Sequence, residues 1–449
     1  MHSHIKGHPA LIQAAEHLAR LPAQKFEIYF QRKVSTKIDA RDQKIDTLSR
    51  ADDSGLSFRV LRDHRLGFSY TTSLEPSAVE RAIDSAWEIA GLMPEDPHHD
   101  LSSFSETPYP AWDRYDEAGL SLPLDAKIRR ALELEAACRG ANDQIEGIRS
   151  ASISETRYEV SLIDSSGEQL WHEASIYSAS ILCRAGRNGE SQMGYDSRYA
   201  THWDELDAQA TGVRAAQRAV EKLGAISAPT RTCPAIFRNE AMIQLVSFLS
   251  GSFSCENIDK NRSLLSGMLG KKIFSERVQL VDDGLWNGGL ASAPFDGEGT
   301  PSGSTALVSG GSINSFLYDG YHARKHHQKP TGNAVRSIKA KPSIGTTNLV
   351  LQPGKKSFEE LCGLAGSGVV ITDLMGVHTA NPITGEFSLG ASGFLLEKGR
   401  ITAPIRGFAV AGNVLHLFRD IVELAHDLEF QGSVGAPSAM VNSLSIGGN

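Results

Sequence analysis

The sequence predicts an α+β protein: two small units, each an antiparallel sheet with helices, followed by a large, mostly β carboxy-terminal domain. Three observations carry this prediction. Apolar and polar residues alternate in blocks of strand-like runs that are each closed by a helical stripe, without the regular strand-helix alternation of a parallel sheet. The first block, ADDSG before LSFRVLR, then LGFSYTT and a helix, is echoed by IDSSG before EQLWHEASIY, then MGYDS and a helix. From about residue 228 the texture changes to short strands between glycine turns, with isolated helical patches.

The elements follow in order. Pro9 opens a first helix, where its missing N–H costs nothing. Between 26 and 70 the alternation of Phe26, Ile28 and Phe30, then Leu56, Phe58 and Val60, reads as half-buried strands. Pro76 starts a helix over 76–91 with Val79, Ile83, Ala86 and Ala90 on one stripe. Residues 93–123 hold five prolines and several acids without periodicity and read as a surface linker. A helix over 124–139, strands over 146–199 and a helix over 204–223 follow, the last with Leu206, Ala210, Val213, Val220 and Leu223 on one face. In the final domain, helical patches fall near 239–250, 356–364 and 413–426. The implied divisions are 1–92, a linker at 93–123, 124–227 and 228–449.

A net charge of −8 argues against a nucleic-acid partner, since phosphate binding needs a surplus of Lys and Arg. No apolar run is long enough to span a membrane, and the first twenty residues lack the apolar core of a secretory signal, so the expected location is cytoplasmic. The five cysteines show no CxxC spacing and cannot all pair, which excludes a zinc ribbon and a disulfide framework.

Familiar local motifs are absent. There is no HExxH: His172-Glu173 lies in a strand-like run and is followed by Ile176 and Tyr177 where a second ligand would stand. His322 and His326 stand four apart and can share a metal if the segment is helical, but Arg324 and Lys325 between them repel a cation. Neither a GxSxG elbow nor a Walker loop occurs, and GLAGSG at 363–368 follows a helix into a strand, the reverse of the dinucleotide-binding order. What the carboxy-terminal domain does hold is a set of glycine-rich polar clusters: FDGEGTPS (Phe295 to Ser302), TGNAVR (Thr331 to Arg336) and GVHTANPITGEFSLGASG at 376–393. Their glycines, Gly299 and Gly385 among them, permit positive φ or close backbone approach, while Asp296, Glu298, Asn333, His378 and Asn381 offer hydrogen bonds. Such exposed backbone with polar hooks suits an extended peptide added along a strand edge. The plain alternative is that NPITG is a hairpin turn and His378 a satisfied loop histidine.

These clusters, together with SGMLGKKIFSERVQLVDDG, LYDGYHARK, GFLLEKGRITAPIRGFAVAGN and GAPSAMVNSLSIGG, resemble the TldD/PmbA family, and within it the PmbA (TldE) branch. The likeness runs through GLSFRVLRDHRLGFSYTT and spans nearly the whole chain. It implies a two-subunit peptidase acting on short or unfolded peptides in an enclosed cavity, with a His-Glu-x-x-x-His zinc site on the TldD-type subunit. On that resemblance the zinc helix falls on VSFLSG, where Val246 and Gly251 stand at the histidine positions and Ser247 at the glutamate position. The metal subunit's late cysteine also has no counterpart, since no cysteine follows Cys362.

The expectation is therefore a chain with no catalytic residue and no metal of its own. Zinc is expected on a TldD-like partner, in a heterodimer or, for the isolated chain, a homodimer. Asp296, Glu298, Gly299, Arg324, Asn333, His378, Asn381 and Gly385 are the candidate peptide-binding or interface residues. Two rivals stand beside it: an autonomous homodimeric peptidase using His322, His326 and His378, and a peptide-binding protein without hydrolysis.

Overall fold

The computed structural model describes residues 6–104 and 108–448. Its two amino-terminal units share one sheet. The strands β1 (Lys25–Arg41), β2 (Lys44–Arg62), β3 (Arg65–Thr71), β4 (Ile145–Asp164), β5 (Gln169–Arg187) and β6 (Glu190–Ala200) lie in the order β3-β2-β1-β4-β5-β6. β1 and β4 pair antiparallel from Glu27 opposite Asp164 to Ala40 opposite Ala151, so each unit is a meander running outward from this seam.

Five helices accompany this sheet among the described residues: α1 (Pro9–Leu18), α2 (Pro76–Leu92), α3 (Glu117–Leu120), α4 (Leu124–Gly140) and α5 (Ala208–Val220). α1 begins at its proline, and the His8 ring Nδ1 accepts the Ala10 N–H at 3.2 Å to cap it. The repeated LG and MG of the sequence have one physical meaning. A Cβ on Gly67 of β3 would lie 1.9 Å from the Ala86 carbonyl oxygen of α2, and one on Gly194 of β6 would lie 2.1 Å from that of Ala215 in α5. Only glycine lets a helix settle this close to the strand, and the contact is built twice.

α5 is shorter than the periodicity predicts and is rotated. It buries Ala208, Thr211, Gly212, Ala215, Ala216 and Ala219, leaving Val213 and Val220 half-buried at its margin. Close approach is the reason: a Cβ on Gly212 would meet the Leu134 carbonyl of α4 at 2.5 Å, so small residues take the core face and bulky ones flank it.

The strands alternate as expected, but the sheet centre is covered on both faces. Ile28, Phe30, Phe58 and Val60 join Val79, Ile83 and Ala86 under α1 and α2. Tyr29 and Leu162 project the other way and pack with Phe104 and Phe295, the latter from the carboxy-terminal domain.

The described residues of 93–123 form a strap rather than a surface linker. Leu101 and Phe104 are buried. The Phe104 N–H donates to Asp164 Oδ2 at 3.0 Å, the Trp112 indole to the Glu173 carbonyl at 2.9 Å and the Tyr109 hydroxyl to the Gly299 carbonyl at 2.9 Å. The segment has no period because its contacts are made one by one, to the sheet on one side and the last domain on the other.

The carboxy-terminal domain holds two larger sheets and a hairpin. In the seven-stranded sheet, Gly368–Met375 lies between Arg231–Phe237, its parallel neighbour, and Glu386–Glu397, its antiparallel one. The six-stranded sheet is centred on Leu280–Asp283 and Leu349–Leu351. Helix α6 (Asn239–Ser250) touches both. Its Ala241, Met242, Leu245, Val246 and Leu249 enter one core with Phe237, Leu349, Leu351 and Ile371. The predicted helix at 413–426 stops early: Val414–Arg419 is helical, and Ile421–Leu424 turns into a strand pairing with Ala439–Gly447. No helix among the described residues is long and apolar enough to cross a membrane.

Candidate functional site

Helix α6 holds the positions that the resemblance assigns to a zinc helix. Val246 is buried in the core, Ser247 is exposed, and Gly251 lies exposed just past the last helical residue. An aliphatic side chain, a hydroxyl and a hydrogen supply neither an imidazole nor a carboxylate, so these residues do not fit a zinc ion.

Five of the predicted site residues meet at the junction between the first sheet and the carboxy-terminal domain. Asp296 accepts the N–H groups of Glu298 and Thr300, both at 2.9 Å, and of Ala334 at 3.0 Å, which pins the FDGEGT turn. Gly299 completes that turn at φ +78°, and Phe104 of the strap fills the space where a Cβ would stand. Glu298 reaches out of the turn: its carboxylate accepts from Arg59 of β2 at 2.5 Å and from the Gly320 N–H at 2.8 Å.

Arg59 also grips Glu27 of β1 through two bonds, of 3.1 and 2.6 Å. Arg336 closes the cluster. It contacts Glu27, donates to the Gly297 carbonyl at 3.2 Å and Ser57 Oγ at 3.1 Å, and stacks 4.5 Å from the Tyr29 ring centre. Two carboxylates and two guanidinium groups are thus buried together, with Glu27 at 1% exposure and Arg59 at 3%. Such a cluster tolerates burial only when each charge is paired and hydrogen-bonded. Burial pushes the Glu27 carboxyl up, but Arg59 and Arg336 beside it more than offset this and hold it below its ordinary value. Burial, and then the Glu298 charge, push Asp296 up to about 7.

Asn333 is buried too and donates to Asp282 Oδ2 at 2.6 Å and the Gly345 carbonyl at 3.1 Å. Arg324 holds the strap through the His98 carbonyl at 2.7 Å and the Asp100 carbonyl at 3.0 Å. Asp296, Glu298, Gly299, Asn333 and Arg324 are therefore engaged by the chain's own groups.

The remaining three lie in the 376–386 loop. His378 sits exposed on a single helical turn, Val377–Thr379, after Gly376 at φ +85°. Asn381 is exposed, its side-chain oxygen accepting the N–H groups of Ile383 at 2.8 Å and Thr384 at 3.1 Å. Gly385 is buried at φ +78° and donates to the Asn381 carbonyl at 2.8 Å. NPITG is thus a side-chain-closed turn that presents His378 beside it.

The histidine pair of the short helix Gly320–Lys325 and its C-cap is divided between two carboxylates. His322 Nδ1 lies 2.8 Å from Asp319 and His326 Nε2 lies 2.8 Å from Asp259. Donor atoms of Cys255, Asp259 and His326 lie within 4.8 Å of one another, yet Lys325 covers Asp259 at 2.6 Å. Burial, followed by the charges of Asp259 and Asp319, pushes the Cys255 thiol up to about 12, so the thiol keeps its proton near neutrality.

Arg59 and Glu27 escaped the sequence reading because charged residues alternating with Phe26, Ile28, Phe58 and Val60 have the pattern of a solvated strand face. The signal that could have found them is Tyr29, an aromatic on that supposedly wet face.

Three family models match this architecture in succession: PmbA/TldA metallopeptidase domain 1 over residues 26–90, the central domain over 117–223 and the C-terminal domain over 230–448. Fold and matches together define a three-domain chain of metallopeptidase type. The chain belongs to the PmbA/TldA metallopeptidase family. It is 27% identical to the metalloprotease PmbA of Escherichia coli O157:H7, over 97% of this chain and 95% of that protein. A metalloprotease TldD homolog of Haemophilus influenzae is 23% identical over 94% of this chain and 89% of its own length. The crystal structure of TldE from Thermococcus kodakarensis has the same fold, with a TM-score of 0.87 at 24% identity, over 97% of this chain and 99% of that one.

Proposed function

We propose that this chain is the non-metal subunit of a two-subunit zinc metallopeptidase of the cytoplasm that processes short, unstructured peptides. A TldD-like partner carries the zinc in this reading, and the isolated chain can form a homodimer in its place. One observation carries it: a chain matched by all three family domains whose α6 positions 246 and 247, and position 251 at the helix's end, hold Val, Ser and Gly, without a metal donor. With no reacting group of its own, the chain contributes by binding and orienting the peptide and excluding water, which lowers a barrier through proximity alone. The exposed loop with His378 and Asn381 supplies polar contacts, and the junction of Asp296, Glu298, Asn333 and Arg324 keeps the domains that carry it in place.

The test is reconstitution. The purified chain, a TldD-like partner and the mixture are each given an unfolded peptide, with and without a chelator. Hydrolysis that needs both chains and stops with chelator is the expected result. Equal hydrolysis by this chain alone would make it an autonomous peptidase, and a partner that is slowed or unchanged by it would make it a binding protein.

A further inference from the structure

The outermost strand of the amino-terminal sheet, β6, has a neighbour on one side only. It pairs with β5 in unbroken register, from Tyr177 opposite Ala200 to Arg187 opposite Glu190, and no strand among the described residues pairs with its other side. Strands left open in this way are usually blunted by lysine, proline or a bulge. β6 has none of the three.

Which groups the open side offers follows from β5. There the Ser175 N–H donates to the Arg114 carbonyl of the strap at 2.9 Å, so the odd-numbered residues of β5 turn toward the β6 side. The register sets Gly194, Asp196 and Arg198 opposite such residues, and the main chain of Met193, Tyr195, Ser197 and Tyr199 therefore faces outward. Arg218 of α5 donates to the outward Tyr195 carbonyl at 3.1 Å. The N–H and C=O groups of Met193, Ser197 and Tyr199 have no main-chain partner on that side among the described residues. Met193, Tyr195 and Tyr199 also keep 39%, 52% and 46% of their surface exposed.

Beside this edge runs a trough made of two cavities, of about 240 and 200 Å³, that share Arg198, Tyr199, Phe430 and Gly432. Its far wall is Glu429–Gln431, the outermost strand of the six-stranded sheet, with the Phe430 ring centre 5.4 Å from that of Trp286. The charges around it are matched one to one: Arg198 with Glu429 at 2.6 Å, Arg214 with Asp196 at 2.9 Å and Arg218 with Glu240 at 2.5 Å. A charged ligand finds no unpaired partner there. What stays unmet is main-chain hydrogen bonding, next to aromatic surface.

An extended, uncharged segment supplies both, and the chain already uses one on the same sheet. Where β6 ends, the strap takes over that side of β5, through the Ser175 bond and through the Trp112 indole on the Glu173 carbonyl at 2.9 Å. We infer that the free edge of β6 takes an extended, uncharged stretch of an unfolded peptide as an added strand, its main chain on Met193, Ser197 and Tyr199 and its side chains against Tyr199 and Phe430. From Met193 to Tyr199 the edge runs about 20 Å, the length of a six-residue strand. The inference rests on the reading of this chain as a peptide-handling subunit and gives that role a place on it.

Fluorescence anisotropy of the purified chain with labelled acetyl-Val-Thr-Val-Thr-Val-Thr-amide tests it. The peptide is expected to bind with an affinity that is the same at low and high salt, because no ion pair forms. Ser197→Pro removes an outward N–H that bonds nothing within the sheet, a place where an edge strand accepts proline. It should weaken binding at least about tenfold, the scale of one to two main-chain hydrogen bonds, and leave thermal unfolding unchanged. Should Ser197→Pro unfold the chain, Tyr199→Ser, which leaves the main chain as it is, becomes the deciding variant and should weaken binding several-fold. No binding, affinity that falls steeply with salt, or wild-type affinity in the deciding variant would overturn the assignment. Self-association that Ser197→Pro abolishes, without peptide binding, would give the edge to a second copy and overturn it too. Chelator-sensitive hydrolysis by the complex with a TldD-like partner would still support the subunit reading in any of these events, so the two can fail separately.

Discussion

At the scale of single residues, exposure separates the polar groups that the sequence presents alike. Asn381 closes its own turn, yet His378 beside it is exposed, so the loop can be altered without touching the core. His378→Ala with Asn381→Ala should lower peptide processing by the reconstituted complex several-fold, with the unfolding midpoint of the chain shifted by less than the equivalent of about 1 kcal/mol; unchanged processing would assign the loop to structure. Asp296 makes a second prediction. Its folded value of about 7 lies above the ordinary 3.8, so the folded state binds that proton more tightly than the unfolded one. Its stabilising contribution is therefore fully present below the unfolded value and is lost as pH rises through the folded one. The stability difference between wild type and Asp296→Asn, measured by urea unfolding, should move against wild type between about pH 4 and pH 7. A difference that stays flat across that window would mean that the three backbone N–H donors hold Asp296 ionised throughout.

At the scale of elements, what the sequence disclosed depended on how local the cause was. α2 and α4 start and stop within a residue or two of the predicted bounds, because proline placement and an apolar stripe lie within the helix itself. The face of α5 was not legible, since it is set by the approach of α4 to Gly212, which meets Leu134, 78 positions earlier in the chain. The echo between the units was visible as text, but its cause, a helix backbone pressed onto a strand glycine, appears only in three dimensions. That cause is testable. Gly67→Ala and Gly194→Ala should each destabilise the chain by about 1–3 kcal/mol or more, because the new methyl meets a carbonyl and the helix must move. Gly147→Ala, where nothing lies within 4 Å of the added Cβ, is the control and should stay within about 0.5 kcal/mol.

At the scale of the whole molecule, the alternation of Phe26, Ile28 and Phe30 is the same whichever strand lies alongside, so the sequence could show two sheets' worth of strands but not that β1 and β4 fuse them. The same limit hid the junction: an acid in a glycine turn reads as a hook for a ligand, and only the fold shows that Glu298 is hooked to Arg59, 239 positions away in the chain. This ion cluster joins the amino-terminal sheet to the last domain, and its coupling can be measured. Arg59→Met leaves Glu298 and Glu27 short of a buried partner and should cost about 3–5 kcal/mol, whereas replacing both charges by neutral groups of similar size removes the uncompensated charge. If the junction works as described, Arg59→Met combined with Glu298→Gln destabilises by clearly less than the two single losses added together, in equilibrium unfolding monitored from both domains. Strict additivity would mean that Arg59 and Glu298 act independently, and that the domains are held instead by the strap and by the packing of Tyr29, Phe104 and Phe295.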